Sequence, residues 1–243
     1  MAGPGSGVVV TTSWDDGGPS DLRLAELLAS HGMTGTFYWT VDYAKFPLPS
    51  PVERQRILDL GIEIGSHTMT HPDMRTIDAE ALAWETTESK RRLEDIVETE
   101  VGSFCYPFGR FSPDACDAVR SAGYRLGRTT MGFRIDRGDD PFRMPVSIQM
   151  FDHPRRIHAR HALKERNLTG LGRWVRTHRL GRDVERLVEQ EIDLLPGTGS
   201  IIHLWGHSWE LDQFDLWDRL DLILRRLSTI TNATFVTNGD LVE

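Results

Sequence analysis

Apolar strand-like runs and amphipathic helical runs alternate from one end of this chain to the other, and few folds accept that order. The first run, Val8-Val9-Val10-Thr11-Thr12-Ser13-Trp14, is β-branched with little polar alternation. A strand buried on both faces of a parallel sheet requires that pattern. It ends at Asp15-Asp16-Gly17-Gly18-Pro19. Ser20 or Asp21 then stands where a helix cap is needed, ahead of Leu22, Leu24, Leu27 and Leu28, and His31-Gly32 closes that helix. Further strands are predicted over 34–40, 62–66, 99–106, 124–129, 142–148, 200–205 and 234–236. Helices are predicted over 52–60, 78–98, 113–122, 181–195 (stopped by Pro196-Gly197) and 217–227, with a Pro-rich loop from Phe46 to Pro51. The alternation implies βαβ units and a parallel sheet, open or closed into a barrel.

The length of 243 residues, 39% of them hydrophobic, suffices for one sizeable core, so residues 1–243 are read as a single domain. A net charge of −8 argues against a general nucleic-acid binder, which should be basic. Two cysteines, Cys105 and Cys116, are too few for a disulfide framework and read as buried small hydrophobes. No secretory signal and no run of membrane-spanning length is evident. The expectation from these features is a cytoplasmic protein.

Chemistry-bearing residues collect at the predicted strand exits, where folds of this class keep their active sites. His67 and His71 flank Thr68-Met69-Thr70 just after Ile62-Glu63-Ile64. Neutral imidazoles suit a first-row metal ion, and an i, i+4 spacing puts both rings on one face of a helical turn. Zinc usually takes at least three protein ligands, and the Asp15-Asp16 pair offers the third. Adjacent carboxylates are costly unless a cation or proton separates them. A metal bound by one Asp leaves the other free as a base. Taken alone, each motif has an ordinary reading: Asp-Asp-Gly as a turn and His-x-x-x-His as an accident of sequence.

These segments, in this order, resemble the polysaccharide deacetylase family, which has the NodB-type homology domain and is also called carbohydrate esterase family four. The resemblance rests on Ser13-Trp14-Asp15-Asp16-Gly17, on His67-Thr68-Met69-Thr70-His71, on Pro107-Phe108-Gly109 and on a histidine after a late strand, best matched by His207. It spans about residues 8 to 240. It implies a distorted, incomplete (β/α) barrel of about seven parallel strands. It also implies one divalent metal ion, zinc or similar, held by Asp16, His67 and His71, with Asp15 as general base and His207 as general acid. Many members carry an Arg at the start of the third motif, paired with the base. The matching residue here is Cys105, read as a buried strand residue, and Arg110 or Arg143 is the candidate replacement cation.

His203 competes for the acid role, but strand alternation makes it face the same way as Trp205, whereas His207 lies beyond the strand. Glu210 orients His207, binds a sugar hydroxyl or caps the next helix, and the cap is the preferred reading. Phe108 supplies an oxyanion-stabilising backbone N–H. Among aromatics near strand exits, including Trp14 and Tyr106, Trp39 and Trp205 read as core and Trp209 as a groove wall. Tyr106 is grouped with Phe108 and Trp209 as a substrate-side residue. The Arg- and His-rich stretch 155–179 reads as a solvated helix face, with an anion site as the alternative. The function implied is removal of an N-acetyl group from an N-acetylated sugar, so the partner is a carbohydrate, with neither nucleic acid nor a membrane span. An amidase or deformylase acting on another small amide, and a catalytically dead carbohydrate-binding relative, are the alternatives.

Overall fold

The computed structural model describes residues 7–195 and 199–242. The helix stop expected at Pro196-Gly197 lies outside them. Strand β1 (Val8–Asp16) is the axis of the fold, with eight of its nine residues buried. Parallel to it run β2 (Thr36–Trp39), β3 (Glu63–Ser66), β4 (Ser103–Cys105), β5 (Leu126–Arg128), β6 (Ile148–Gln149), β7 (Ile201–His207) and β8 (Ala233–Val236). Their order is β5-β4-β3-β2-β1-β7-β6. The whole of β7 lies along one edge of β1. The other edge is shared, with β8 beside Val8–Thr11 and β2 beside Ser13–Asp16. The curled sheet draws its two ends together through a lone parallel bridge between Arg128 and Met144. The result is the distorted, incomplete (β/α) barrel that the family resemblance implied.

The connections are the helices α1 (Asp21–Ser30), α2 (Pro51–Asp59), α3 (Ala79–Val97), α4 (Pro113–Ser121), α5 (Arg155–Lys164), α6 (Leu168–Arg176), α7 (Val184–Asp193), α8 (Ser208–Gln213) and α9 (Trp217–Ser228). Several start where local chemistry dictates. Ser50 and Glu53 form a reciprocal capping box before α2, with Pro51 at its first position. Asp78 caps α3 by accepting from Ala81 N–H at 2.9 Å. Leu24, Leu28, Ile57, Leu93 and Leu220 from the helices and Phe37 from β2 are fully buried. Each contributes about 1.5–3 kcal/mol relative to exposure.

Three expectations need correction. The strand predicted over 142–148 shrinks to Ile148–Gln149, because Phe142 sits in a 3₁₀ turn, Pro141–Arg143, and Pro145 lacks an N–H for a ladder. Asp21 caps nothing. It is buried, accepting from Trp39 Nε1 at 2.8 Å and from Ser208 Oγ at 2.6 Å. His67 to His71 is not a helical turn but a loop with left-handed backbone at Thr68 (φ 73°) and His71 (φ 61°).

Where β8 and β2 meet beside β1, backbone partners run out and side chains take over. Asn238 accepts from Thr11 Oγ1 at 2.9 Å and donates to the Tyr38 hydroxyl at 2.8 Å. Glu63 accepts from Thr36 Oγ1 at 2.6 Å and Gly239 N–H at 3.0 Å. These buried polar groups are satisfied by one another, as a break in a sheet demands.

Candidate active site

The C-terminal end of β1 delivers two adjacent carboxylates into one cleft of about 840 Å³. Neighbouring residues of a regular strand point to opposite faces. Asp16 breaks that alternation with φ 78°, and Gly17 follows at φ 80°. Asp tolerates this left-handed backbone better than most residues. Both Asp15 and Asp16 therefore line the cleft.

Asp16 Oδ2 accepts from Trp209 Nε1 at 2.9 Å, while buried Asp16 Oδ1 has no hydrogen-bond partner. That oxygen instead faces His71 Nε2 at 3.3 Å and His67 Nε2 at 3.6 Å. One ligand atom from each of the three lies within 4.8 Å of the others. His67 Nδ1 donates to the Cys105 carbonyl at 2.8 Å, which fixes the tautomer and leaves Nε2 with its lone pair. Burial pushes the His67 imidazole down to about 4, so it is neutral at physiological pH. Burial alone would raise Asp16. The close approach of the His71 imidazole, with the charges of His67, His207 and His71, outweighs it and holds the carboxyl well below its usual range. An orphaned carboxylate oxygen facing the Nε2 atoms of His67 and His71 is a donor set that fits a divalent cation such as zinc.

The loop carrying both histidines is pinned from α3. Glu85, buried within a helix otherwise rich in exposed charge, accepts from Met69 N–H at 2.8 Å and Thr70 N–H at 3.0 Å. Thr68 Oγ1 accepts from His71 N–H at 2.9 Å. Periodicity alone gives no sign that Glu85 differs from its exposed neighbours.

The cation beside Asp15 is neither Arg110 nor Arg143. Arg110 pairs with Asp73 at 2.8 Å, and Arg143 lies 3.6 Å from Asp140. Arg128, at the end of β5 and fully buried, pairs with Asp15 Oδ1. Its guanidinium also lies over the rings of Trp205 at 5.0 Å and Tyr38 at 5.3 Å. Burial would raise the Asp15 pKa, but Arg128 above all, with His67 and His207, lowers it below the ordinary carboxyl value. Cys105 is buried as expected, its thiol 3.6 Å from Asp15 Oδ2. Burial pushes that thiol well up, so it stays protonated and makes a poor ligand. For this reason the alternative grouping of Asp15, His67 and Cys105 is the weaker cation site.

His207 ends β7 directly across from Asp15 in the β1–β7 register. Its Nδ1 donates to Glu210 Oε2 at 2.8 Å, one turn into α8. Glu210 thus orients the imidazole rather than capping the helix, and His207 itself occupies the cap position without a side-chain bond to the helix backbone. Burial would lower the His207 pKa, but the Glu210 hydrogen bond and the charges of Glu210, Asp15 and Asp16 raise it. His203 lies deeper, bonded through Nε2 to Ser13 Oγ at 2.8 Å, and burial pushes it down to about 3.

Around these groups the walls are aromatic. Phe108, with φ 58°, is 57% exposed and sets its ring edge-on to His71 at 4.6 Å. Trp209 lines the cleft and stacks on Phe46 at 5.4 Å, while Tyr43 stacks on His71 at 5.0 Å. The loop preceding α2 therefore closes one side, a role that its prolines did not disclose. Trp39 and Trp14 are core, but Trp205 reaches the cleft floor. Tyr106 is a correction: its side chain is fully buried, its hydroxyl donates to the Phe142 carbonyl at 3.0 Å, and it does not line the cleft.

A family model described as polysaccharide deacetylase matches residues 2–127, just over half of the chain. A chitooligosaccharide deacetylase of Sinorhizobium fredii is 29% identical over 112 residues, covering 44% of this chain and 51% of that protein. The chain spans about half the length of the curated relatives it matches. The chitin deacetylase of Colletotrichum lindemuthianum superposes with a TM-score of 0.60 at 15% identity, over 96% of this chain and 87% of that one. A CE4 family pseudoenzyme from Bacillus anthracis superposes with a TM-score of 0.58 at 15% identity, over 99% of this chain and 67% of that one. Identities this low speak for the fold alone. The matched sequence holds Asp15, Asp16, His67 and His71 and stops one residue short of Arg128. The chain belongs to the polysaccharide deacetylase family.

Proposed function

We propose that this protein is a divalent-metal-dependent N-deacetylase that removes the acetyl group from an N-acetylated sugar or oligosaccharide. The observation that carries the reading is the orphaned Asp16 Oδ1 facing His67 Nε2 and His71 Nε2, with Asp15 and His207 as neighbours on adjacent strands. Asp16, His67 and His71 would hold a divalent ion, which would lower the pKa of a cleft water from about 15.7 toward about 7 and polarise the acetyl carbonyl. Asp15, kept ionised by Arg128, takes the proton as that water attacks the carbonyl carbon. The Phe108 backbone N–H stabilises the oxyanion, a contribution of about 3 kcal/mol for a single well-placed donor. His207, whose charged form Glu210 and the nearby carboxylates favour, gives a proton to the departing nitrogen. Acetate and the free amino sugar leave. Trp209 and Phe108 offer flat faces to the apolar side of a sugar ring.

Amine release from N-acetylglucosamine oligomers, measured beside release from formylated and small acyl amides, tests the assignment. The expected result is turnover of the oligomers with little or none of the small amides. Preference for the small amides moves the chain to the amidase or deformylase reading. No release from any of them, with carbohydrate binding retained, makes it a binding relative without catalysis.

A further inference from the structure

The net charge of the chain is −8, yet one wall of the cleft is strongly positive. Arg75, Arg110, Arg143, Arg160, Lys164 and Arg166 all line it. They come from three separate places: the loop after His71, the segments 110–143 around α4, and α5 with its exit. Arg75 and Arg110 share one carboxylate oxygen, Asp73 Oδ2, at 2.7 and 2.8 Å, so the trio retains a net positive charge. Arg160 and Lys164 stand four residues apart on α5, on one face, where like charges repel. Among the described residues, Arg160, Lys164 and Arg166 have no carboxylate within ion-pair distance. The Lys164 ammonium is held below its ordinary value chiefly by Arg110, with burial, Arg75 and Arg160 adding to the effect, so the groups feel one another across the cleft. Glu165, a carboxylate of this wall, is pushed up to about 7 by burial and accepts from Thr130 Oγ1 at 2.9 Å, so at neutral pH it offsets only part of a single charge. A merely solvated helix face would interleave acids with these bases. Here the repulsion is left standing on the side that faces the substrate space.

We propose that the substrate is anionic: the N-acetylated sugar carries, on itself or on the adjoining unit, a phosphate or a carboxylate that docks on the wall of Arg160, Lys164, Arg110 and Arg75. This inference rests on the deacetylase reading for the position of the acetyl group, but not for the binding itself. The cations add attraction for a charged substrate without touching the reacting carbonyl, so they act on KM more than on kcat.

The test compares three substrates of the metal-loaded enzyme: neutral chitotetraose, N-acetylglucosamine 1-phosphate, and oligomers alternating N-acetylglucosamine with glucuronate. The wild type is expected to favour at least one charged substrate in kcat/KM. That preference should shrink as salt rises from low to physiological ionic strength, because exposed charges are screened over about 8–10 Å there. An Arg160→Gln, Lys164→Gln double variant, at two exposed positions without partners, should lose about fivefold to tenfold of the preference, through KM. Arg226→Gln, exposed on α9 away from the cleft, should lose none. Response to the phosphate or to the uronate alone identifies which anion is read. Calorimetric titration with N-acetylglucosamine 1-phosphate gives a readout independent of turnover. Salt-sensitive binding that the double variant weakens, without hydrolysis of any substrate, overturns the deacetylase reading and keeps the anion site. Equal kcat/KM for neutral and charged substrates, unmoved by salt or by the double variant, overturns the anion site and leaves the deacetylase reading intact.

Discussion

An Asp15→Asn variant should lose about a hundredfold to ten-thousandfold in kcat, the range typical of a missing general base, while still binding its divalent ion. The two effects separate because the adjacent carboxylates do different work. Asp16 presents an unpartnered oxygen to His67 and His71. Asp15 turns instead to Arg128 and the Cys105 thiol. An amide at position 15 keeps the shape and still accepts from Arg128, but it cannot hold a proton taken from water. Turnover should be normalised to folded protein, since the substitution also leaves Arg128 buried without a counter-charge. Retained turnover in this variant rules Asp15 out as the base.

Arg128→Met should destabilise the protein by about 3–5 kcal/mol at neutral pH, the cost typical of leaving one half of a buried ion pair. The methionine fills much of the same space, so the loss reflects charge rather than a cavity. Its pH dependence follows from the Asp15 pKa. In the wild type that pKa is depressed, so the pair contributes stability above the unfolded carboxyl value of about 3.9 and loses it as pH falls through the lower folded value. Without Arg128, burial is unopposed by its main partner and Asp15 rises above the unfolded value. Its ionisation then penalises the folded state increasingly as pH rises. Urea unfolding at pH 7 and pH 4, under the same metal load, should show a deficit against wild type that is larger at pH 7. Equal deficits at both values would mean that packing, not charge, explains the loss. The acid limb of the rate profile should also move to higher pH in this variant.

The sheet was legible because a strand buried on both faces must be apolar along its whole length, and Val8 to Trp14 could be little else. The carboxylate and imidazole motifs were legible because each follows such a strand directly. Arg128 was not. It follows Leu126 and Gly127 on a three-residue strand, and its partner lies 113 residues away. Only the curl that brings the end of β5 opposite the end of β1 joins them. An arginine closing an apolar strand run, in a chain whose Cys105 stands where a cation was wanted, was the available signal. Glu210 failed differently. Three residues after His207, it satisfies cap and orienter spacing alike, and the choice depends on His207 rotating Nδ1 toward α8. Tyr106 failed by strand parity: it follows Cys105, whose thiol faces Asp15, so its own ring falls on the opposite, core side.

The most direct measurement is elemental analysis of the purified protein beside His67→Ala, both dialysed against the same trace of divalent metal. Among the described residues, His67 is one of the three, with Asp16 and His71, that together could hold the ion, and three is the usual minimum for a catalytic zinc site. About one ion per wild-type chain is expected, with most of it gone from a variant that remains folded. The same metal content in both proteins would contradict a cation held between Asp16, His67 and His71.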